Sequence, residues 1–418
     1  MKVLLLDSSD AGGGAAIAAK RLCDALNEQG IDAQLYVEKK KTASLNVEEL
    51  PRKKCFYFHA IGRVIENRMI RRITYTTNKI LHTVNNQTVC DVAWINESDY
   101  DLVHIHWVNG TISTKDIANI KKPIIWTLHD SWPCCGAEHH PNILENDMRW
   151  REGYTRENKP KTTKGIDICR FVWERKKTLL KGRQITFIAP SEWEGETLKT
   201  SALFGENQCF VIPNLLPYHV YYGREKRKER ELRGIPQDKK VIGFGAINQM
   251  DDPKSMKGTY YLIEALKLLE NKKDYFVLLF GPATEEFTKY IPVKFYSAGF
   301  VSDSDEMARL YSCCDCFVNS SLIENLSYTV YESIACQIPA VAFDVGGLSD
   351  LIQHQVNGYL AKPYESKDLA DGIIYCVRNQ EKLSENCLAI REKFNQKQII
   401  NAHINAYSFV IKNAKENE

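Results

Sequence analysis

Two glutamates separated by seven residues, Glu324 and Glu332, flank the start of a predicted helix in the second half of the chain. The residues between them include Asn325, Leu326 and Ser327. A helix N-terminus presents free amide hydrogens and the positive end of the helix dipole, which suit a diphosphate, and carboxylates beside it can accept strong hydrogen bonds from sugar hydroxyls. An isolated glutamate is usually a solvated surface residue, but this pair follows a predicted buried strand at residues 316–319. The segment is therefore predicted to bind a sugar diphosphate.

The sequence around this pair resembles glycosyltransferase family 4, whose hallmark is such a pair of glutamates. Three further segments resemble the family's usual pattern: Gln-Ile-Pro-Ala-Val-Ala at residues 337–342, Gly-Gly-Leu-Ser-Asp-Leu-Ile at 346–352 and Asn-Gly-Tyr-Leu at 357–360. The resemblance spans essentially the whole chain. It implies an α/β GT-B fold, in which two Rossmann-like doubly wound domains face each other across a cleft, with the donor in the second domain and the acceptor in the first. It also implies that Glu324 contacts the donor sugar and Glu332 the nucleotide ribose.

A lysine–glycine step, Lys257-Gly258, follows a predicted strand at residues 241–244. The family places a basic pair on the donor phosphates in this loop, and a lysine can offset the negative charge that builds on a leaving diphosphate. The arginine often seen in the family is replaced by Ala246, and Lys254 is the candidate to substitute for it. An exposed lysine at a helix N-terminus is the alternative interpretation of Lys257, but its place after a strand favours phosphate binding.

Three glycines, Gly12, Gly13 and Gly14, follow the first predicted strand. Glycines let a backbone approach a ligand closely, and the resemblance implies a loop near the donor phosphate and the acceptor. A tight turn between a strand and a helix would use the same residues. The segment lacks the spaced glycines and the downstream acidic residue of a dinucleotide fingerprint. No cofactor is therefore expected, and a UDP- or GDP-linked sugar is expected as substrate.

His129 lies in the segment Thr-Leu-His-Asp-Ser-Trp-Pro at residues 127–133, directly after a predicted buried strand. The segment resembles one that is common in the branch of the family that builds surface polysaccharides. A histidine can bond a sugar hydroxyl or assist proton transfer near neutral pH, so His129 is predicted to be catalytic. The alternative is a structural histidine that caps local backbone, with Asp130 orienting or capping. His104 and His106 share one face of a neighbouring strand, and one or both are candidates for a structural role.

Thiols and imidazoles cluster in and near the residues that follow His129. They are Cys134, Cys135, His139, His140 and Cys169. The C-x₂-C spacing typical of zinc sites is absent, so unmetallated thiols and no metal are predicted. Some relatives also carry several cysteines in this loop, so a structural metal site remains an alternative. The family resemblance implies that catalysis needs no metal.

Residues 52–79 form the one strongly basic region. It contains Arg52, Lys53, Lys54, Arg63, Arg68, Arg71, Arg72 and Lys79 against the single acidic Glu66. Ile61, Ile65, Met69 and Ile73 lie roughly along one helical stripe. A basic amphipathic helix suits peripheral contact with an anionic membrane, and a lipid-linked acceptor would make such contact sensible. A solvated helix whose apolar stripe packs inward fits the same pattern.

The elements that must position these residues alternate between strands and helices. Strands are predicted at residues 2–6, 33–37, 102–106, 123–128, 185–189, 241–244, 276–280, 297–300, 316–319 and 340–343, and helices at 15–26, 258–270, 303–311 and 328–336. Ser191 is the predicted N-cap of a further helix. This rhythm predicts two doubly wound halves. The predicted boundaries are an acceptor domain at 1–213, a linker at 214–240 and a donor domain at 241–395, with a helix at 396–418 that can return to the first domain.

Composition excludes several classes of protein. The 418 residues are 44% hydrophobic, which is enough for real cores, and 55 basic against 53 acidic side chains give no whole-chain signal of a nucleic-acid partner. No run approaches about 20 apolar residues, and the first apolar run is short for a signal peptide. Thirteen cysteines in such a chain indicate reduced thiols and a cytoplasmic setting, with the membrane contact at the inner face of the cytoplasmic membrane.

The function that these features predict together is a retaining glycosyltransferase. It would move a sugar from a nucleotide-sugar to a glycan or lipid-linked acceptor in bacterial capsule, exopolysaccharide or O-antigen assembly. A nucleotide-sugar epimerase or a phosphorylase would use two similar domains. An inactive or regulatory protein that binds nucleotide-sugars or docks on a membrane is the third hypothesis, and Ala246 is its only support.

Overall fold

The structure, a computed structural model, describes residues 1–52, 56–73, 80–88, 90–142, 146–161, 163–245, 255–281 and 283–416. The sequence-predicted residues Lys53, Lys54, Lys79, Ala246 and Lys254 lie outside these ranges. The chain divides into two compact units. Unit 1 comprises Met1–Leu215 and Lys397–Glu418, and unit 2 comprises Leu216–Gln396.

Unit 1 is built on a parallel sheet of seven strands. They are β1 (Lys2–Ser9), β2 (Asp32–Lys39), β3 (Val47–Glu49), β4 (Leu102–Ile105), β5 (Ile124–Thr127), β6 (Ile185–Ala189) and β7 (Cys209–Val211). Their order in the sheet is β3-β2-β1-β4-β5-β6-β7, so the winding reverses between β1 and β4. Ligands of doubly wound sheets bind beyond the carboxyl ends of the strands at such a reversal.

Helices connect these strands. They are α1 (Gly14–Glu28), α2 (Phe56–Ile73), α3 (Ala93–Glu97), α4 (Thr114–Asn119), α5 (Arg149–Glu152), α6 (Ile168–Leu180) and α7 (Glu192–Lys199). On α1, Ala18, Leu22 and Leu26 form the predicted buried stripe. Ser191 caps α7 as predicted, since its Oγ accepts from the Glu194 amide at 3.2 Å.

Unit 2 repeats this plan with six parallel strands. They are β8 (Lys240–Gly245), β9 (Tyr275–Phe280), β10 (Lys294–Ser297), β11 (Cys316–Asn319), β12 (Ala340–Phe343) and β13 (Gly358–Ala361). The order is β10-β9-β8-β11-β12-β13, so the reversal lies between β8 and β11. The predicted α/β doubly wound fold class is confirmed for both units.

The helices of unit 2 complete the chain. They are α8 (Lys226–Leu232), α9 (Thr259–Leu268), α10 (Glu285–Thr288), α11 (Ser304–Ser312), α12 (Tyr328–Ala335), α13 (Leu348–Leu351), α14 (Ser366–Arg378), α15 (Gln380–Cys387) and α16 (Ile390–Lys393). The last helix, α17 (Gln396–Glu416), lies almost wholly in unit 1. Among the described helices, none is long and apolar enough to cross a membrane.

The strand predicted at residues 297–300 lies three residues earlier in the structure, so this prediction is wrong in position. It is β10, whose four residues are all exposed. An exposed edge strand shows no buried apolar run, so its position is poorly encoded in the hydrophobic pattern. Gly299 instead forms an isolated bridge with Gly281.

Within the predicted linker, residues 224–233 carry a dense run of mixed charges. This run includes α8, which belongs to unit 2 and is only partly solvated. Arg230 is buried, and its guanidinium donates to Asp315 Oδ2 at 2.8 Å and to the Cys313 carbonyl at 2.8 Å. Asp315 Oδ2 also accepts from the Val241 amide at 2.7 Å. This network ties α8 to the start of β8, because a buried charge is stable only when it is paired.

Helix α2 carries its apolar side chains outward. Tyr57, Ile61, Val64 and Ile65 are each more than half exposed. The opposite side carries Arg63, which donates to Glu38 at 2.9 Å and to the Gly110 carbonyl at 2.6 Å. Inward packing of the apolar stripe is therefore wrong for Ile61 and Ile65. Nothing is described for the side chains of Met69, Arg71, Arg72 and Ile73.

Candidate functional site

The loops that follow β8 and β11 meet at the reversal point of the second sheet. The Leu322 amide donates to the Met256 carbonyl at 2.8 Å. The Ser320 hydroxyl donates to the Lys257 carbonyl at 2.9 Å. These bonds join the two loops, so that Lys257 lies beside Glu324.

Lys257 and Glu324 form an ion pair at this point. Lys257 Nζ donates to Glu324 Oε1 at 2.5 Å, and the Ser321 hydroxyl donates to the same oxygen at 2.7 Å. The lysine side chain is 39% exposed and the glutamate side chain 15%. The pair therefore combines an accessible cation, which can neutralise phosphate, with an oriented carboxylate, which can accept from hydroxyls.

Two glycines allow the backbones around this pair to approach each other. Gly258 has φ +64°, and a Cβ there would lie 1.7 Å from the Ser320 carbonyl oxygen. Gly346 has φ +59°, and a Cβ there would lie 1.7 Å from the Glu324 carbonyl oxygen. No side chain fits at either position, and the left-handed region is costly for other residues. The Lys-Gly and Gly-Gly motifs thus hold Lys257 and Glu324 in place.

The segment between the glutamates is ordered by Asn319, the last residue of β11. Its side chain donates to Ser327 Oγ at 3.1 Å and accepts from the Ser321 amide at 3.0 Å. Asn325, Leu326 and Ser327 are all buried. Helix α12 begins at Tyr328, with Ser327 as its N-cap. The predicted donor-binding segment is thus the turn that leads from the ion pair into α12.

Glu332 has different surroundings from Glu324. It lies on α12, is 6% exposed, and accepts from the Tyr311 hydroxyl at 3.2 Å. Its carboxylate is fixed on the inner side of the helix, and only a small part of it can contact a ligand. The structure brings Lys257 and Glu324, which were predicted with His129 to be catalytic, into direct contact. The predicted donor-binding residue Glu332 packs against Tyr311.

Unit 1 contains a small pocket, open to solvent, at the carboxyl ends of its central strands. His129, Trp107 and Asn109 line it with partly exposed side chains, beside the buried Asp130. Trp107 follows β4 and His129 follows β5. The pocket therefore lies at the end of the sheet where doubly wound folds bind ligands.

The imidazole of His129 is held by a second histidine rather than by backbone. His129 Nε2 and His106 Nδ1 are 2.8 Å apart, and their rings stack at 5.1 Å. Burial lowers the pKa of His129 to about 4, although the charge of Asp130 opposes this shift. His129 is therefore neutral at pH 7, and it can exchange a hydrogen bond with a sugar hydroxyl without carrying charge.

His104 and His106 share one face of the strand region, as predicted, with ring centroids 4.2 Å apart. His104 bonds the Tyr407 hydroxyl at 2.8 Å through Nδ1 and the Thr127 hydroxyl at 2.7 Å through Nε2. Burial lowers the pKa of both histidines. His104 thus links α17 to β5, and His106 positions His129.

Asp130 does not bond the His129 side chain in the described contacts, and instead organises other residues. Its Oδ2 accepts from Trp107 Nε1 at 2.8 Å and lies 2.6 Å from His139 Nδ1, while its Oδ1 accepts from the Trp132 amide at 3.0 Å. Burial opposes ionisation, but His139 and these hydrogen bonds outweigh it and lower the pKa of Asp130 to about 2. The anionic carboxylate therefore fixes Trp107 and caps the following turn.

The glycines at residues 12–14 form the turn between β1 and α1. Gly12 has φ +96°, whereas Gly13 is the extended N-cap residue of α1 and Gly14 is its first residue. Asp10 accepts from the Lys41 amide at 2.7 Å and the Thr42 amide at 2.8 Å, which fixes the start of the turn. This turn follows the strand next to β4 in the sheet.

Most of the cysteines and histidines considered as metal ligands are buried thiols or have protein partners. Cys134 and Cys135 are buried, which raises the pKa of both thiols, and His139 pairs with Asp130. In the described part of the chain, ligand atoms of His82, Glu138 and Cys169 lie within 4.8 Å of one another.

The Glu138 carboxylate in that group already has protein partners. Burial favours its protonated form, but the charge of Arg149 and hydrogen bonds from Cys169 and Tyr154 outweigh burial and lower its pKa. This group is thus a charge-compensated network, which sequence spacing did not predict because its members come from separate segments.

A buried glutamate that the sequence did not reveal bonds Ser131, the residue between the pocket residues Asp130 and Trp132. Glu194 accepts from the Ser131 hydroxyl at 3.0 Å through Oε2, while Oε1 has no partner among the described residues. Burial raises the pKa of Glu194 to about 8, the charge of Asp130 adds to this shift, and the Ser131 bond opposes it. Its position on an amphipathic helix next to an N-cap serine gave no signal of burial.

Glu194→Gln is expected to flatten the pH dependence of stability. Between about pH 4.5 and 8 the unfolded carboxyl loses its proton while the folded one keeps it, so wild-type stability falls by about 1.4 kcal/mol per pH unit from this group. The variant should lie close to wild type near pH 5 and exceed it by on the order of 3–4 kcal/mol at pH 8, in denaturant unfolding. Glu192→Gln, on the exposed side of α7, is the control. Equal pH slopes for wild type and Glu194→Gln would contradict the assignment.

The fold and the two sites describe a doubly wound α/β protein with a lysine–carboxylate pair at the end of its second sheet. Family models match both halves of the chain: Glycosyltransferase Family 4 matches residues 12–217, and Glycosyl transferases group 1 matches residues 225–393. The chain belongs to glycosyltransferase family 4, with the GT-B fold, and is a glycosyltransferase enzyme. The family resemblance and the enzyme class predicted from the sequence are therefore confirmed.

Individual relatives are distant. D-inositol 3-phosphate glycosyltransferase of Paenarthrobacter aurescens (strain TC1) is 20% identical over 375 residues, which cover 86% of this chain and 83% of the relative. N-acetyl-alpha-D-glucosaminyl L-malate synthase of Bacillus anthracis is 22% identical over 213 residues, 49% of this chain, and the chain spans only 55% of that relative's length. The crystal structure of Anabaena Alr3699/HepE in complex with UDP and glucose has a TM-score of 0.65 at 19% identity, covering 98% of this chain and 99% of that one. This likeness confirms the fold alone.

Proposed function

We propose that the chain is a retaining glycosyltransferase that transfers a sugar from a nucleoside diphosphate sugar to a glycan or lipid-linked acceptor of a bacterial surface polysaccharide. The observation that carries the proposal is the Lys257–Glu324 pair at the reversal point of the second sheet. The cation is partly exposed, and the carboxylate is held by Ser321. Lys257 would neutralise the leaving diphosphate while Glu324 orients the donor sugar.

The start of α12 supports the same donor. The turn that leads from Glu324 into the helix consists of Asn325, Leu326 and Ser327, and a helix N-terminus stabilises negative charge. Glu332, which is 6% exposed, would contact the nucleotide ribose. The structural neighbour Alr3699/HepE was crystallised with UDP and glucose, which favours a uridine donor for this chain too.

The acceptor would bind in unit 1. His129 is neutral and partly exposed, and His106 holds its Nε2, which leaves Nδ1 to bond an acceptor hydroxyl. In this arrangement His129 orients the acceptor and assists proton movement, while leaving-group stabilisation at Lys257 supplies most of the rate. No resident cofactor is part of the proposal.

The test is nucleotide release from UDP- and GDP-linked sugars, with and without glycans and lipid-linked sugars extracted from bacterial membranes. Acceptor-dependent release that is lost in Glu324→Ala would support the proposal, and the product's anomeric configuration by NMR should match that of the donor. Interconversion of donors without acceptor would indicate an epimerase instead. Release that is unchanged in Glu324→Ala would overturn the proposed site.

We also propose that α2 docks on an anionic membrane. Its outward side exposes Tyr57, Ile61, Val64 and Ile65, and Arg68 lies on the same exposed side. The surrounding residues 52–79 carry eight basic side chains against Glu66. Apolar side chains with flanking positive charge favour the interface of an anionic bilayer. A lipid-linked acceptor would then be met at the membrane surface.

The chain is expected to cosediment with phosphatidylcholine vesicles that contain phosphatidylglycerol, and more weakly with phosphatidylcholine alone. Replacing Ile61, Val64 and Ile65 together with serine should weaken binding at least about tenfold, because their apolar surface no longer enters the interface. Leu268→Ser and Leu388→Ser, exposed apolar residues of unit 2, are the matched controls. Equal binding of the triple variant and wild type would contradict this docking surface.

A further inference from the structure

Trp107 is held at several points at the carboxyl end of β4. Its backbone amide donates to Asp7 Oδ2 at 3.2 Å, and its carbonyl accepts from the Ser8 amide at 2.9 Å. Its indole Nε1 donates to Asp130 Oδ2 at 2.8 Å, and its ring centroid lies 5.8 Å from that of His139. The backbone and the ring are therefore both fixed by protein contacts.

The carboxylates that hold Trp107 are themselves buried. Asp7 and Asp130 are both buried. Asp130 lies 2.6 Å from His139 Nδ1, and the other nitrogen of that imidazole bonds the Thr83 hydroxyl at 2.8 Å. Side chains locked by such contacts hold a site more precisely than mobile ones. Despite this anchoring, the Trp107 side chain remains partly exposed, and it lines the unit 1 pocket with His129 and Asn109.

The pocket's chemistry suits a sugar ring better than a phosphate. Its ionisable members are the anionic Asp130 and two histidines whose pKa burial lowers, His106 and His129, so it offers an anion no positive charge from these groups. A pyranose presents one face of C–H groups and a rim of hydroxyls. The electron-rich face of an indole favours such C–H groups, and the imidazole and amide of His129 and Asn109 can bond hydroxyls. A fixed indole also loses little side-chain entropy on binding.

We propose that Trp107 is the stacking platform for the terminal pyranose of the acceptor, and that it sets the specificity of the unit 1 pocket for a sugar over a simple alcohol or a phosphate. The inference rests on the proposed transferase function, because it names the acceptor class of that site. Trp107 acts here as a binding residue, and the reacting hydroxyl is placed by the ring that stacks on it.

The test is saturation-transfer difference NMR on the full chain without nucleotide, with methyl pyranosides of glucose, galactose, mannose and N-acetylglucosamine, and with glycerol as the non-sugar probe. At least one pyranoside should receive saturation at its ring C–H protons, and glycerol should not. Trp107→Leu should reduce the signal at least about fivefold, whereas Trp107→Phe, which keeps an aromatic face, should stay within about twofold. Phe171→Leu, an exposed aromatic residue on α6, is the matched control.

A second measurement does not depend on how Trp107→Leu folds. In protein labelled with 5-fluorotryptophan, the ¹⁹F resonance that is missing from Trp107→Phe should shift when the bound pyranoside is added, while the other tryptophan resonances stay in place. No saturation of any pyranoside, equal saturation in a folded Trp107→Leu, or a shift confined to another tryptophan would overturn the inference. Neither measurement involves the donor, so a failure here is distinguishable from a failure of nucleotide-sugar turnover.

Discussion

Lys257→Ala is expected to lower kcat by about 10²–10³-fold, with the fold unchanged. Within the part of the chain that the structure describes, Lys257 is the cation beside Glu324 at the carboxyl end of the second sheet. Its side chain is partly exposed, so its charge can contact a ligand. Its loss would leave the charge that develops on the departing diphosphate without this partner. Steady-state kinetics with saturating donor and acceptor measure the effect, and circular dichroism checks the fold.

Lys267→Ala is the matched control for this variant, because Lys267 is an exposed lysine on α9 that pairs with Glu264. It should retain wild-type turnover. Since Lys257 and Glu324 bond each other, their effects should be far from additive, and Lys257→Ala/Glu324→Ala should lose little more than the worse single variant. Near-normal turnover of the purified double variant would contradict the assignment of the site.

Gly346→Ala is expected to destabilise the protein by about 3 kcal/mol or more and to remove most activity. The added Cβ would lie 1.7 Å from the Glu324 carbonyl oxygen, so the backbone of Glu324 or of the glycine loop must move. The bond from the Gly347 amide to the Glu324 carbonyl, now 3.0 Å, would be lost with that movement. Denaturant unfolding and nucleotide-release kinetics on the same preparation measure the two effects.

Gly299→Ala separates steric overlap from backbone strain. Gly299 also has a positive φ, +68°, but a Cβ there would meet nothing within 4 Å. Its substitution should cost about 1–2 kcal/mol, the ordinary penalty of the left-handed region, and leave turnover intact. Equal destabilisation by the two substitutions would mean that the close approach to Glu324 does not constrain the site.

The interior of the fold could be predicted from the sequence because buried parallel strands are continuous apolar runs between turn residues. The bounds of β6, β11 and β12 match the predicted ranges. The edge strand β10 could not be placed, since its exposed residues lack that pattern. Partly exposed elements are therefore where the hydrophobic pattern is least informative.

The members of the candidate site were proposed from the sequence, whereas the contacts between them came only from the structure. Family resemblance identified Lys257 and Glu324, but their hydrogen bond depends on the close approach of Gly258 to Ser320, far away in the sequence. No local pattern encodes such a contact between the ends of different strands. The proposed roles of Lys257, Glu324, Glu332 and His129 remain predictions.

In unit 1 the sequence did not reveal the directions in which the side chains point. Asp130 follows His129 directly, yet its carboxylate bonds Trp107 and His139. Which way a side chain points after a strand depends on partners from other segments, and sequence order does not reveal it. For the same reason the acceptor platform at Trp107 emerged only from the structure.

Calorimetric titration of UDP and GDP measures whether unit 2 binds the donor diphosphate through Lys257. We expect at least one of the two nucleotides to bind wild type and Lys267→Ala with the same Kd. Binding to Lys257→Ala should be at least about tenfold weaker, which corresponds to the loss of one charge-assisted contact. Identical Kd values for all three proteins, or no binding of either nucleotide to wild type, would contradict the account.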